Sequence, residues 1–135
     1  MAGAPASPTP SPPGSGGRPC TRYASLAGRL VFISGGSLAV GAELVRTFAG
    51  QGARVAFCGT RPGGGQALVD ALLAAGHAAP WYGACDVRDV PAYQALLARL
   101  VAEQGPVTVL VNNAGRDDRH RMEDVTPDCG TTGWR

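Results

Sequence analysis

Four short apolar runs alternate with three segments of helical period, and nearly every handover is marked by glycine, proline or aspartate. Leu30-Val-Phe-Ile-Ser34 is a β-branched and aromatic run that ends at glycines, which predicts a buried strand. Val40, Leu44, Val45 and Phe48 recur at helical spacing until Gly50 and Gly52 stop them. Arg54-Val-Ala-Phe-Cys58 predicts a second strand. A second helix follows over Gly65–Ala75, with Leu68, Val69, Leu72 and Leu73 on one face and Gly76 as its stop. Ala79–Cys85 predicts a third strand. Asp89 can cap a third helix striped by Tyr93, Leu96, Leu97, Leu100 and Val101 and closed by Gly105-Pro106. Val107-Thr-Val-Leu-Val111 is the fourth strand. Strands apolar on both faces, in the order βαβαβαβ, predict an α/β fold: a parallel sheet covered by helices and linked by right-handed crossovers.

The first strand runs directly into Ser34-Gly35-Gly36-Ser37-Leu38-Ala39-Val40-Gly41 and then into a helix. A glycine turn there gathers backbone N–H groups at a positive helix N-terminus, which suits a pyrophosphate. Taken alone, the loop is equally an ordinary strand-to-helix turn. Two further features stand where such a site needs them. Cys85-Asp86-Val87 follows the third strand, and Asn112-Asn113-Ala114-Gly115 follows the fourth.

In that order these motifs resemble the short-chain dehydrogenase/reductase family, over about residues 26–127. The resemblance implies a Rossmann-like doubly wound parallel sheet. It also implies an NAD(P)-dependent oxidoreductase that moves a hydride between nicotinamide and a hydroxyl or carbonyl substrate. By the same resemblance Gly35, Ser37, Leu38, Val40 and Gly41 line the pyrophosphate turn. Asp86 accepts from the adenine amino group, with Val87 beside it. Asn113, Ala114 and Gly115 lie against the adenosine ribose and the path to the nicotinamide. The blander readings are a solvated turn aspartate for Asp86 and a side chain bracing the fourth strand for Asn112; neither explains the joint spacing. One position departs from the family pattern: Ala39 stands where the middle glycine is usual. If that position needs positive φ, its Cβ costs roughly 1–2 kcal/mol, about tenfold if taken from affinity.

An acidic residue at the end of the second strand would bind the ribose 2′-hydroxyl and select NAD. Here the strand ends Cys58-Gly59-Thr60-Arg61-Pro62, with Gly59 where that acid would be and Arg61 within reach of a 2′-phosphate. A guanidinium fork suits phosphate. The expectation is NADP(H) over NAD(H), weighed against a solvent-facing arginine in a glycine-rich turn.

Composition narrows the rest. All 12 basic residues are arginine, which excludes a Schiff-base lysine, a phosphate-loop lysine and a catalytic tyrosine–lysine pair from these residues. A net charge of +2 does not argue for a nucleic-acid partner. Six of the 11 prolines fall in the first 19 residues, among Ala, Ser, Thr and Gly, so residues 1–27 read as a disordered arm. The arm lacks a basic anchor beside its proline pairs for an SH3-type ligand, and it lacks the apolar run of a signal peptide. No apolar stretch is long enough to span a membrane. Cys20, Cys58, Cys85 and Cys129 show no C-x-x-C spacing, which suggests reduced thiols in a cytoplasmic protein.

Residues 28–128 thus read as a partial NAD(P)-binding domain, truncated after the fourth strand, and residues 129–135 as an aberrant tail. Arg116-Asp-Asp-Arg-His120, with Tyr23–Gly28 upstream, resembles the sugar 1-dehydrogenase branch, which implies an aldose, polyol or other alcohol substrate. The bland reading of that charge run is a solvated loop, and nothing in it fixes a metal geometry. Thr126 and Pro127 look like a helix start, but the residues that follow carry no helical period. The family's serine, tyrosine and lysine find no counterpart, so no catalytic residue is expected here. The alternative is a non-catalytic nucleotide-binding or regulatory fragment that associates with a full-length homologue through the open edge of the fourth strand.

Overall fold

The computed structural model describes residues 21–115. The expected proline-rich arm up to residue 20, the charged run 116–120 with His120, and the tail 129–135 lie outside the described residues. Four strands, β1 (Leu30–Ile33), β2 (Arg54–Gly59), β3 (Trp81–Ala84) and β4 (Val109–Val111), form one sheet in the order β3-β2-β1-β4. Every pairing is parallel, with Leu30 opposite Arg54, Val31 opposite Val109 and Ala56 opposite Trp81. Three helices, α1 (Ala39–Gly50), α2 (Pro62–Ala74) and α3 (Val90–Gln104), alternate with the strands.

The apolar runs become strands because they are buried on both faces. Leu30 through Ile33 and Val55 through Cys58 are all in the core. Val31, Ile33, Val55 and Phe57 pack under α1 and α2 through Val45, Leu68 and Leu72. Leu30, Phe32, Ala56 and Cys58 face the other way, under Leu96 and Leu100 of α3. Two helices therefore cover one face and a single helix the other. Leu110 shares the α3 face with Phe32 by register and is 58% exposed.

Boundaries depart from the sequence expectation where chemistry intervenes. β3 starts at Trp81, not Ala79, because Pro80 has no N–H for the ladder. β4 starts at Val109; before it, Thr108 donates both its N–H and its hydroxyl to the Leu30 carbonyl. α2 begins at Pro62 and runs through three glycines, although glycine disfavours helix. The Tyr82 hydroxyl anchors that start on the Arg61 carbonyl at 3.0 Å, and its ring fills the place of a Gly65 Cβ. Residues 21–27 also depart from the expected arm. A short 3-10 turn, Ala24–Leu26, is tied to α1 by Gln51, which accepts from Tyr23 N–H and donates to the Thr21 carbonyl, both at 2.8 Å.

α3 is capped at both ends by side chains. Asp89 accepts from the Ala92 N–H at 3.1 Å, and Arg54 donates to the Gln104 carbonyl at 2.9 Å. Arg99 stacks over Trp81, whose indole N–H donates to Glu103 at 2.6 Å, so the β3 side of this face is closed. Among the described residues no helix is long and apolar enough to cross a membrane.

Candidate cofactor-binding site

The direction of winding reverses between β1 and β4, so the turns after these strands flank a crevice at the carboxyl end of the sheet. Ser34 follows β1 and is buried. Its hydroxyl accepts the backbone N–H of Asn113 at 3.0 Å and of Ala114 at 3.1 Å. The Asn113 amide returns the contact, donating to the carbonyls of Ser34 at 3.2 Å and Gly35 at 3.1 Å. Two turns 79 residues apart are thus locked together.

The lock leaves no room for side chains. Gly35 sits at φ +70°, and a Cβ there would lie 3.0 Å from the Ala114 Cα. A Cβ on Gly41 would strike the Gly35 carbonyl oxygen and stand 2.7 Å from Asn113 Nδ2. Leu38 enters α1 in extended conformation and supplies no side-chain acceptor. The leading N–H groups of α1 are therefore uncapped behind a tight backbone turn. This cradle fits a pyrophosphate, which needs close backbone approach and N–H donors at a positive helix end. Leu38 and Val40 stand exposed at that helix start. Ala39 adopts φ +47°, so its backbone is in the left-handed region that the usual glycine would occupy without strain.

The second end of the crevice lies beyond β3 and is built from side chains. Asp86 is chelated by Arg88, whose Nε sits 3.0 Å from both carboxylate oxygens and whose second nitrogen lies 2.6 Å from Oδ2. The Arg88 backbone N–H adds a bond to Oδ1 at 3.0 Å. These hydrogen bonds hold the Asp86 carboxyl down to about 2, so it is ionised at neutral pH. Val87 packs at the border of the α3 core.

Between the two ends, Ser37 rests on Gly59, and Arg61 opens α2 with an exposed side chain that makes no ion pair among the described residues. Burial pushes the Cys58 thiol up, partly offset by a hydrogen bond with the Gly35 backbone, and burial with Asp89 and Asp86 nearby pushes the Cys85 thiol up, so neither is poised as a thiolate nucleophile. Burial likewise raises Tyr82 and Tyr93, so neither supplies a tyrosinate. Among the described residues no group of three or more His, Cys, Asp or Glu could hold a metal.

Gly35, Gly41, Asn113 and Ala114 therefore converge, Ser37 lies against Gly59, Gly115 ends the described chain exposed, and Asp86 stands apart with Arg88. The bracing side chain of the fourth-strand turn is that of Asn113, whose Nδ2 donates to two carbonyls. Sequence reasoning missed Ser34 and Arg88. Ser34 carried a visible signal, a hydroxyl directly before the glycines, and Arg88 carried one in its spacing two residues from Asp86.

Fold and crevice define the doubly wound, Rossmann-like class of α/β proteins. A family profile described as short chain dehydrogenase matches residues 29–129, and the chain belongs to that family. It is 43% identical over 108 residues to the probable galactose dehydrogenase GalD of Rhizobium meliloti (strain 1021), covering 80% of this chain and 42% of that protein. It is 44% identical over 104 residues to the D-xylose 1-dehydrogenase of Caulobacter vibrioides (strain NA1000 / CB15N), covering 77% and 40%. A variant actinorhodin polyketide ketoreductase crystallised with NADPH superposes with a TM-score of 0.68 at 29% identity, covering 84% of this chain and 42% of that one. The chain thus spans about two fifths of the length of the curated relatives it matches.

Proposed function

We propose that this chain is the cofactor-binding part of an NAD(P)-dependent oxidoreductase and takes NADP(H) in preference to NAD(H). The observation that carries the reading is the uncapped start of α1 behind the braced turn of Ser34, Gly35, Gly41 and Asn113. The start of α1 would hold the pyrophosphate, Asp86 and Val87 the adenine, and Arg61 the 2′-phosphate. Residues 28–128 are the dinucleotide-binding unit. When bound, the nicotinamide supplies the hydride chemistry; the chain's own residues hold and orient it.

The substrate of the assembled enzyme is an aldose or another small alcohol, a reading supported by the galactose and xylose dehydrogenases among the relatives. The NADPH of the ketoreductase neighbour supports the cofactor. A second reading, a nucleotide-binding fragment without turnover of its own, is favoured by the absence of lysine from all 135 residues. In that case association runs through the outer edge of β4, beside the exposed Leu110. Two free thiols, Cys58 and Cys85, support a cytoplasmic location.

Calorimetric titration of the whole chain tests the binding, followed by an assay with aldoses. NADPH should bind more tightly than NADH, and Arg61→Ala should weaken NADPH while leaving NADH nearly unchanged. Equal losses for both dinucleotides would remove Arg61 from the 2′-phosphate. Turnover of an aldose by this chain alone would remove the second reading.

A further inference from the structure

Gly59 ends β2, and its missing side chain has a specific neighbour. A Cβ built there strikes the Ser37 hydroxyl and lies 2.8 Å from the Ser37 Cβ. Rotating the hydroxyl away would relieve the first contact only, because the Cβ is set by the backbone of the turn. That backbone is held from several sides. Gly36 N–H donates to the Cys58 carbonyl at 2.9 Å, and a Cβ on Gly36 would lie 2.7 Å from that of Phe57. On the other flank a Gly64 Cβ would stand 3.6 Å from the Ser37 carbonyl oxygen, so α2 lies beside the turn there.

We propose that Ser37 and Gly59 form a size lock that decides which ribose the site accepts. The inference rests on the dinucleotide reading and adds a residue to it. A ribose with a bare 2′-hydroxyl is held by a carboxylate at the end of the second strand. Ser37 excludes every side chain from that position, a carboxylate included. With no acid at position 59, a 2′-phosphate meets no like charge there, and it finds the Ser37 hydroxyl as a donor and the Arg61 guanidinium two residues on. Ser37 is thus a specificity-determining residue through the space it takes as well as through its hydroxyl. Selectivity for NAD cannot be installed by changing Gly59 alone.

The test is a double-mutant cycle on the full chain, comparing wild type, Gly59→Asp, Ser37→Gly and the double variant. Thermal midpoint and affinity for NADPH and NADH are both read. Gly59→Asp alone should lower the midpoint by about 5–10 °C for a domain of this size and gain no affinity for NADH. The double variant should regain most of that midpoint, bind NADH at least about tenfold more tightly than wild type, and bind NADPH about tenfold more weakly. Should the aspartate variant fail to fold, Gly59→Ala carries the same Cβ and completes the stability cycle with Ser37→Gly. Additive midpoints, or NADH binding by Gly59→Asp equal to that of the double variant, would overturn the lock. If wild type binds neither dinucleotide, the proposed function falls and the ribose role with it. The stability cycle then still decides whether the steric lock exists, separating the two failures.

Discussion

The turn of Ser34 to Gly41 and the turn of Cys85 to Arg88 lie at the same end of the sheet, yet they hold their shapes by opposite means. The first is fixed by buried long-range contacts: a hydroxyl, a carboxamide and closely approached glycines bind it to residues 78–80 positions away. The second is held by local backbone turn bonds and by an ion pair, open to solvent, between an aspartate and an arginine two residues apart. A shape made by packing cannot change without the fold. A charge held by an exposed neighbour adds little to stability and is free to exchange partners. Under the proposed reading the rigid end would take the pyrophosphate and the adjustable end the adenine.

The contrast is open to attack by substitution, most severely at Gly41. Gly41→Ala places a methyl on the Gly35 carbonyl and should cost about 2–3 kcal/mol, with loss of dinucleotide binding. Urea denaturation reads this. Gly63→Ala in α2, where a Cβ meets nothing, is the control and should raise stability by about 0.5–1 kcal/mol. Next in size is Ser34→Ala, which leaves the N–H groups of Asn113 and Ala114 without their acceptor and should cost about 1–3 kcal/mol. Ser34→Thr, which keeps the hydroxyl, should be nearly neutral by the same denaturation.

Ala39→Gly should move stability the other way, raising it by about 1 kcal/mol as the strain at φ +47° is released. Urea denaturation reads the change, and an unchanged midpoint would mean that φ +47° costs Ala39 nothing in the fold.

The smallest effect is expected at the other end. Arg88→Ala should leave the thermal midpoint almost unmoved while the Asp86 carboxyl returns from about 2 towards its ordinary 3.8, readable by NMR titration. A depressed carboxyl contributes stability above its unfolded value of 3.8 and loses it as pH falls through about 2. The variant should therefore fall slightly below wild type above about pH 4, by little because the pair is exposed, and converge with it in acid. With both oxygens released, Asp86 should accept the adenine amino group more readily, raising NADPH affinity a few-fold. A large loss of stability in Arg88→Ala would erase the distinction between the two ends.

Much of this molecule could be read in its sequence because its main determinant is local. The runs at Leu30 and Arg54 are apolar on both faces, and the Leu96 and Leu100 stripe is helical, so periodicity alone placed strands and helices within a few residues. The glycine turn and the Asn113 turn were legible as motifs. Their mutual brace was not, because hydrogen bonds from Ser34 to Asn113 join residues 79 apart and leave no trace in any window of sequence. The same holds for Ser37 on Gly59: an absent side chain in one strand and a small one in a preceding turn look independent until the chain is folded. Arg88 failed for a different reason. Its spacing from Asp86 was plain, but charge neighbours in a turn more often face water than each other.

A dinucleotide held as proposed would cross the braced turn with its pyrophosphate on the start of α1. Amide NMR of the whole chain during NADPH titration tests that placement. Saturable shifts are expected at Gly35 to Gly41 and at Asn113 and Ala114, with a second set around Asp86 and Val87. Unmoved amides in the glycine turn at saturating NADPH, or shifts confined to the opposite end of the sheet near Gln51 and Gln104, would contradict it.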